Sequence, residues 1–228
     1  MVTFKDIEEA YQILQPIIKK TPLEKSQAFS NFLKTNVYLK EENLQTTGSF
    51  KIRGAYNKIY HLPEKEKKQG VVCASAGNHA QGVAHASTLM GVNSTVYMPI
   101  YTSPVKIIAT KSYGANVVLE GATYDDAAVA AQKYAEEKKL TFVHAFNDAY
   151  VVAGQGTIGI EIFEKLPNVD VVVIPIGGGG LIGGIALALK TLQPKVKIIG
   201  VEADGAQSMK LSLEQQKIVP MKSIMTIA

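Results

Sequence analysis

The chain has 228 residues, of which 46% are hydrophobic and 19% charged, and its formal net charge is +4. That describes an ordinary globular protein of one or two domains, long enough to bury a sizeable core. Its lysines are scattered along surface segments with no aromatic-interleaved basic patch, which argues against nucleic acid. The single cysteine, Cys73, excludes an internal disulfide framework and reads as a buried, inert thiol beside Val71 and Val72. No basic-then-apolar leader follows Met1, so a cytoplasmic protein is expected.

Thr3 and Asp6 suit a capping box for a first helix to about residue 18, with Ile7, Ala10, Tyr11 and Leu14 on one face and Thr21-Pro22 as its stop. A short strand is expected at 37–40, then a polar stretch at 44–49 and a helix at 50–61. Strands at 71–74, 94–98, 115–119 and 142–143 alternate with helices at 78–90, 104–112 and 123–138, the last capped by Thr123 with Asp126 at the capping-box position. A helix at 151–165, a strand at 169–176, a helix at 181–192 and a strand at 196–202 follow. This βα rhythm predicts an α/β fold with mainly parallel sheets covered by helices. Ligands in such folds lie beyond the carboxyl ends of strands, where the strand order switches.

Residues 171–189, VVVIPIGGGGLIGGIALAL, carry no charge in 19 positions. A membrane span has this length, but it would place six glycines and Pro175 inside one helix, at ~1 and ~3 kcal/mol each. Two readings survive. One is a buried strand, a turn and a helix with no ligand. The other is a phosphate cradle, in which the glycines bare backbone N–H groups and the following helix points its positive end at an anion. Gly178 to Gly183 also matches GxGxxG after a strand, with Glu202 about 20 residues on, so a dinucleotide site stays open. Gly154 to Gly159 matches the same pattern, but no convincing strand precedes it.

Two other loops carry chemistry. Lys51, in Ser49-Phe50-Lys51, opens a helix, where the dipole and partial burial disfavour its charge. A neutral amine there is a nucleophile able to form a Schiff base; the alternative is one more surface lysine. Ser75-Ala76-Gly77-Asn78-His79 links a strand to a helix, and its N–H groups suit a carboxylate. The bland alternative is a tight turn with Ser75 or Asn78 as N-cap. His79 and His85 lack the spacing of a metal pair, and His61 and His144 read as surface or packing residues.

The stretches 49–55 (SFKIRGA), 75–82 (SAGNHAQG) and 177–181 (GGGGL), in this order, resemble the threonine dehydratase and serine racemase group of tryptophan-synthase-β-like, fold type II pyridoxal-phosphate enzymes. The likeness runs along the whole chain and includes Thr21-Pro22-Leu23, Lys40-Glu41 and Gly154-Gln155-Gly156-Thr157. It implies two three-layer α/β domains with the cofactor between them: a smaller one at 46–145 and a larger one from 1–45 and 146–228. It further implies that Lys51 carries pyridoxal 5'-phosphate, that Phe50 packs on its ring and that Asn78 bonds its 3-oxygen. Gly177, Gly178, Gly179, Gly180 and Leu181 would hold the phosphate, and Ser75, Ala76, Gly77, Asn78 and His79 the substrate.

The implied reaction is dehydration and deamination of a small hydroxy amino acid, L-threonine or less well L-serine, to 2-oxobutanoate or pyruvate plus ammonia. A threonine ammonia-lyase of isoleucine biosynthesis, assembled as a homo-oligomer with no nucleic-acid or membrane partner, is the corresponding expectation. Racemases of the group place serine where this chain has Ala76, which favours elimination over racemisation. They also bind a cation near the counterpart of Glu202; here the expected acidic partner is Ser208, so no metal is expected and Glu202 is carried only as a candidate. The group continues beyond Ala228, so residues 1–228 are expected to be C-terminally truncated, with low or no turnover by themselves. A serine racemase-like enzyme, an NAD-dependent oxidoreductase using Gly178 to Gly183, and a non-catalytic binding module are the competing readings.

Overall fold

The computed structural model describes residues 1–221, 224 and 226. The expected capping box forms: the Asp6 amide donates to Thr3 Oγ1 and the Thr3 amide to the Asp6 carboxylate. It starts α1 (Phe4–Leu14), which buries Ile7, Ala10, Tyr11 and Leu14 on one face. The helix stops short of residue 18 because Pro16 has no N–H to extend the ladder. Next come β1 (Leu23–Lys25), α2 (Gln27–Leu33) and β2 (Tyr38–Lys40), with β1 and β2 antiparallel. Neither β1 nor α2 is among the expected elements. β1 has three residues; α2 has only seven, although Ser26 caps it and Phe29, Phe32 and Leu33 stand at helical spacing, and those three side chains are exposed. A 3-10 turn at Glu42–Leu44 leads to α3 (Lys51–Tyr60) and α4 (Glu64–Gln69). The latter reads EKEKKQ, with no apolar face to see.

The βα rhythm then follows its prediction closely. β3 (Val71–Ala74), α5 (Asn78–Leu89), β4 (Ser94–Met98), α6 (Pro104–Ser112), β5 (Asn116–Leu119), α7 (Tyr124–Lys138) and β6 (Thr141–Phe142) build a four-stranded sheet. Its order is β5-β4-β3-β6 and every pair is parallel. β3 is buried at all four residues, as a strand covered on both faces must be. Cys73 lies within it, and burial pushes its thiol up to about 12, so it is inert as expected. Winding runs from β3 out to β5 and then returns to the other side of β3 for β6. The switch therefore falls between β3 and β6, and the loops leaving those two strands are where a ligand is expected.

The chain continues through α8 (Ala149–Lys165), β7 (Val171–Pro175), α9 (Gly180–Leu192), β8 (Lys197–Val201) and α10 (Ser208–Gln215). β7 and β8 pair in parallel. Residues 171–189 are thus a strand, a loop and a helix, and no helix among the described residues is long and apolar enough to cross a membrane. Gly154 to Gly159 lies inside α8 and is no nucleotide loop. Its first glycine serves packing instead: a Cβ on Gly154 would fall 2.6 Å from the Arg53 carbonyl, so α3 and α8 touch backbone to backbone. α3 is gripped on its other side by α5, where a Cβ on Gly82 would fall 3.0 Å from the Lys51 carbonyl carbon.

Candidate active site

Lys51 is the first residue of α3, and its N–H donates to Ser49 Oγ at 3.4 Å. The side chain is half-buried. Its Nζ donates to the Ala145 carbonyl at 3.0 Å and lies 5.3 Å from the centre of the Phe50 ring. Burial holds the amine below the usual lysine range, the direction the sequence predicts.

In the loop after β3, Ser75 Oγ accepts from the Gly77 amide at 3.2 Å. Gly77 is the N-cap of α5; neither Ser75 nor Asn78 fills that position, and no side chain caps the helix. The first intrahelical bond runs from Gln81 N–H to Gly77 O. The N–H groups of Asn78, His79 and Ala80 are therefore without helical acceptors and face the loop, ready for an anion. The Asn78 side chain is exposed and makes no hydrogen bond among the described residues. His79 is different. Its ring is buried, its Nε2 lies 2.9 Å from the Val143 carbonyl, and burial pushes its pKa to about 3. Only its backbone is left to serve the loop; the ring is a neutral prop.

Three of the four glycines in this loop are required by close packing or by backbone conformation. A Cβ on Gly178 would fall 2.2 Å from the Phe146 ring, and one on Gly180 would fall 2.9 Å from the Phe146 carbonyl. Gly179 is left-handed at φ +86 and forms the N-cap of α9. Gly177 faces open space, with nothing within 4 Å of a would-be Cβ. No side chain caps α9, and its first internal bond is Gly183 N–H to Gly179 O. This leaves the amides of Gly180, Leu181 and Ile182 without helical acceptors beside that open space. A phosphate monoester fits such a cradle.

One segment joins these three parts, and no sequence motif marks it. Residues 143–147, in the loop after β6, give the Val143 carbonyl to His79, the Ala145 carbonyl to Lys51 and the Phe146 ring to Gly178 and Gly180. His144 is here too, with its Nδ1 accepting from the Phe146 and Asn147 amides and its ring packed edge-on against Phe146, as its reading as a packing residue expects. The signal that finds this segment is topological: it leaves the strand next to the switch.

The description "pyridoxal-phosphate dependent enzyme" belongs to the family model that matches residues 14–228. The chain belongs to this family. It is 50% identical over 228 residues to L-threonine ammonia-lyase of Thermotoga maritima, covering all of this chain and 57% of the relative. It is 47% identical over 229 residues to a catabolic L-threonine dehydratase of Staphylococcus aureus, covering all of this chain and 66% of that one. The solved structure of the processed form of threonine deaminase isoform 2 from Solanum lycopersicum matches at TM-score 0.94 and 39% identity, over 99% of this chain and 64% of that one. Maize serine racemase matches at TM-score 0.96 and 33% identity, over 99% and 69%. The chain therefore spans 57% to 66% of the length of these curated relatives. The fold is the mainly parallel, fold type II α/β arrangement of these enzymes.

Membership of this family displaces the dinucleotide reading of Gly178 to Gly183, and the structure shows what Glu202 does instead. Its two carboxylate oxygens accept from the amides of Met209 and Lys210 at 2.9 and 2.8 Å, stabilising the first turn of α10. No group of three or more metal-ligating side chains occurs among the described residues.

A buried ion network holds the Lys51 helix in place. Arg53 is fully buried and donates to Glu42 through Nε and Nη2, to Glu161 through Nη1 and Nη2, and to Thr157 through Nη1. Lys40 Nζ donates to Glu161 and to the Thr21 carbonyl. Two cations and two carboxylates thus neutralise one another and tie α3 to α8, β2 and the 3-10 turn. The sequence reading contains Lys40, Arg53 and Thr157 only as parts of longer stretches and passes over Glu42 and Glu161. Partners so far apart along the chain leave no local pattern.

Proposed function

We propose that this chain forms the cofactor and substrate site of a pyridoxal-phosphate lyase that dehydrates and deaminates L-threonine, and L-serine less well, to 2-oxobutanoate or pyruvate and ammonia. The observation that carries this reading is the single loop, residues 143–147, that joins the lysine, the carboxylate loop and the glycine cradle. Bound pyridoxal phosphate supplies an electron sink that makes an amino-acid α-proton removable. Phe50, Lys51 and Asn78 would hold the cofactor body, and the amides of 177–181 its phosphate. The free amides of Asn78, His79 and Ala80 bind the substrate carboxylate at the helix N-terminus, and Ser75 and Gly77 shape that loop. Lys51 Nζ takes up the α-proton; burial keeps a usable share of the amine unprotonated. Ala76 stands where racemases of the group place a serine, and its methyl group cannot deliver a proton, which favours elimination.

The likeness to serine racemase supports a racemase reading as the alternative. The proposal also includes cytoplasmic location, homo-oligomerisation and the division into 46–145 and 1–45 with 146–228. One apolar cluster centres on Ile52, Val71, Val83 and Val96 and another on Ile158, Ile174, Ile185 and Leu189, while Leu14 packs in the first and Phe50 against the second, so the two units share their border.

Incubation with pyridoxal phosphate and L-threonine, followed by keto-acid and chiral amino-acid analysis, tests this reading. Formation of 2-oxobutanoate, at a low rate for residues 1–228 by themselves and with the remaining threonine still L at its α-carbon, is expected. Inversion at the α-carbon without keto acid would replace the lyase reading with the racemase one.

A further inference from the structure

His144 accepts two backbone hydrogen bonds at one ring nitrogen. Its Nδ1 lies 3.2 Å from the Phe146 amide and 2.9 Å from the Asn147 amide. Amides only donate, so Nδ1 carries its lone pair and the ring is neutral, with its proton on Nε2. An asparagine or aspartate oxygen closes a turn in the same way, onto the amides two and three residues ahead. In a histidine, however, the acceptor can be lost to a proton.

The turn that His144 closes is the one that serves the site. It presents the Ala145 carbonyl to Lys51 Nζ at 3.0 Å. It also sets Phe146, whose ring meets the His144 ring edge-on at 4.5 Å and fills the space over Gly178. We propose that His144 is a proton-sensitive positioning residue. Its neutral ring clasps residues 144–147 so that Ala145 holds Lys51 and Phe146 rests on the glycine loop, and protonation at Nδ1 opens the clasp. The coupling to cofactor rests on the reading of Lys51 and the glycine loop given above.

The groups that face His144 are Lys51 from α3, His79 from α5 and Asp148 at the N-cap of α8, itself paired with Lys58. Burial holds the ring below the ordinary histidine range; Asp148 opposes this and Lys51 adds to it. The closed clasp thus disfavours the proton, whereas an opened loop carries histidine at its ordinary value of about 6.5. The clasp is at full strength above that value and weakens as pH falls below it, by at most about tenfold at one unit lower.

His144→Asn separates this role from plain packing, because an asparagine oxygen can accept the same two amides and does not titrate. Two readouts are needed. Hydrogen exchange of peptides spanning 145–148 should show the parent losing protection relative to His144→Asn between pH 7.5 and pH 5.5, with His144→Ala unprotected at both. The dissociation constant for pyridoxal phosphate, as the ratio of parent to His144→Asn, should rise over the same interval, by at most about tenfold. Titration of the cofactor phosphate and of Lys51 is common to both proteins and cancels in that ratio. Equal pH profiles of exchange would overturn the clasp. A changed exchange profile with a flat affinity ratio would overturn its coupling to the site. Should neither protein bind the cofactor at any pH, the proposed function fails, and the exchange profiles alone decide the clasp.

Discussion

Lys51→Ala is expected to abolish covalent retention of pyridoxal phosphate and to lower 2-oxobutanoate formation from L-threonine by at least about 10³-fold. A positioned general base alone contributes about 10²–10⁴, and in the proposed function the same amine also anchors the cofactor. The fold should survive. Lys51 is half-buried, and its recorded side-chain contacts are the Ala145 carbonyl and the Phe50 ring, so its removal leaves no charge stranded. Circular dichroism and urea unfolding, compared with keto-acid formation and with cofactor content after borohydride reduction and gel filtration in denaturant, separate chemistry from stability. Lys51→Arg should be equally inactive, since a guanidinium stays charged and cannot act as the amine. A Lys51→Ala protein that still forms keto acid near the parent rate would remove Lys51 from the reaction.

Arg53→Ala is expected to cost about 3–5 kcal/mol of stability, read as a lowered urea midpoint, because it strands a buried charge cluster. Glu42 and Glu161 would lose five hydrogen-bonded contacts between them and Thr157, leaving only Lys40 against two carboxylates. Arg53→Lys should fall between, because one ammonium cannot reproduce the fork that meets both carboxylates. The loss should reach the site as well. Arg53 follows Lys51 by two residues on α3, so a loosened helix should bind pyridoxal phosphate more weakly even where the protein remains folded. An Arg53→Ala protein with the parent's urea midpoint would show that the network contributes nothing net.

Much of this was legible before any coordinates. Strands 71–74 and 94–98 and helix 104–112 are as the sequence predicts, because the apolar run of 71–74, the β-branched and aromatic residues of 94–98 and a proline at the first helical position leave little choice. The Thr123–Asp126 box fixed the start of α7 for the same reason. What stayed hidden depends on contacts between distant segments. Lys51 and Ala145 lie 94 residues apart, and Arg53 and Glu161 lie 108 apart. A lone histidine in a loop carries no pattern, so His144 gave no signal until its partners were in place. The glycine run shows both sides. Its reading as an anion cradle is open to composition alone, yet Gly178 and Gly180 are needed to seat Phe146, a residue the sequence reading passes over.

The most direct measurement is chemical mapping of the lysine that takes the cofactor. The protein is incubated with pyridoxal phosphate, reduced with borohydride, digested and analysed by mass spectrometry. The expected result is one phosphopyridoxyl group, on the peptide containing Lys51, accompanied by loss of the visible absorption band. Label spread over surface lysines such as Lys65, Lys67 and Lys133, with Lys51 unmodified, would contradict the assignment of this site.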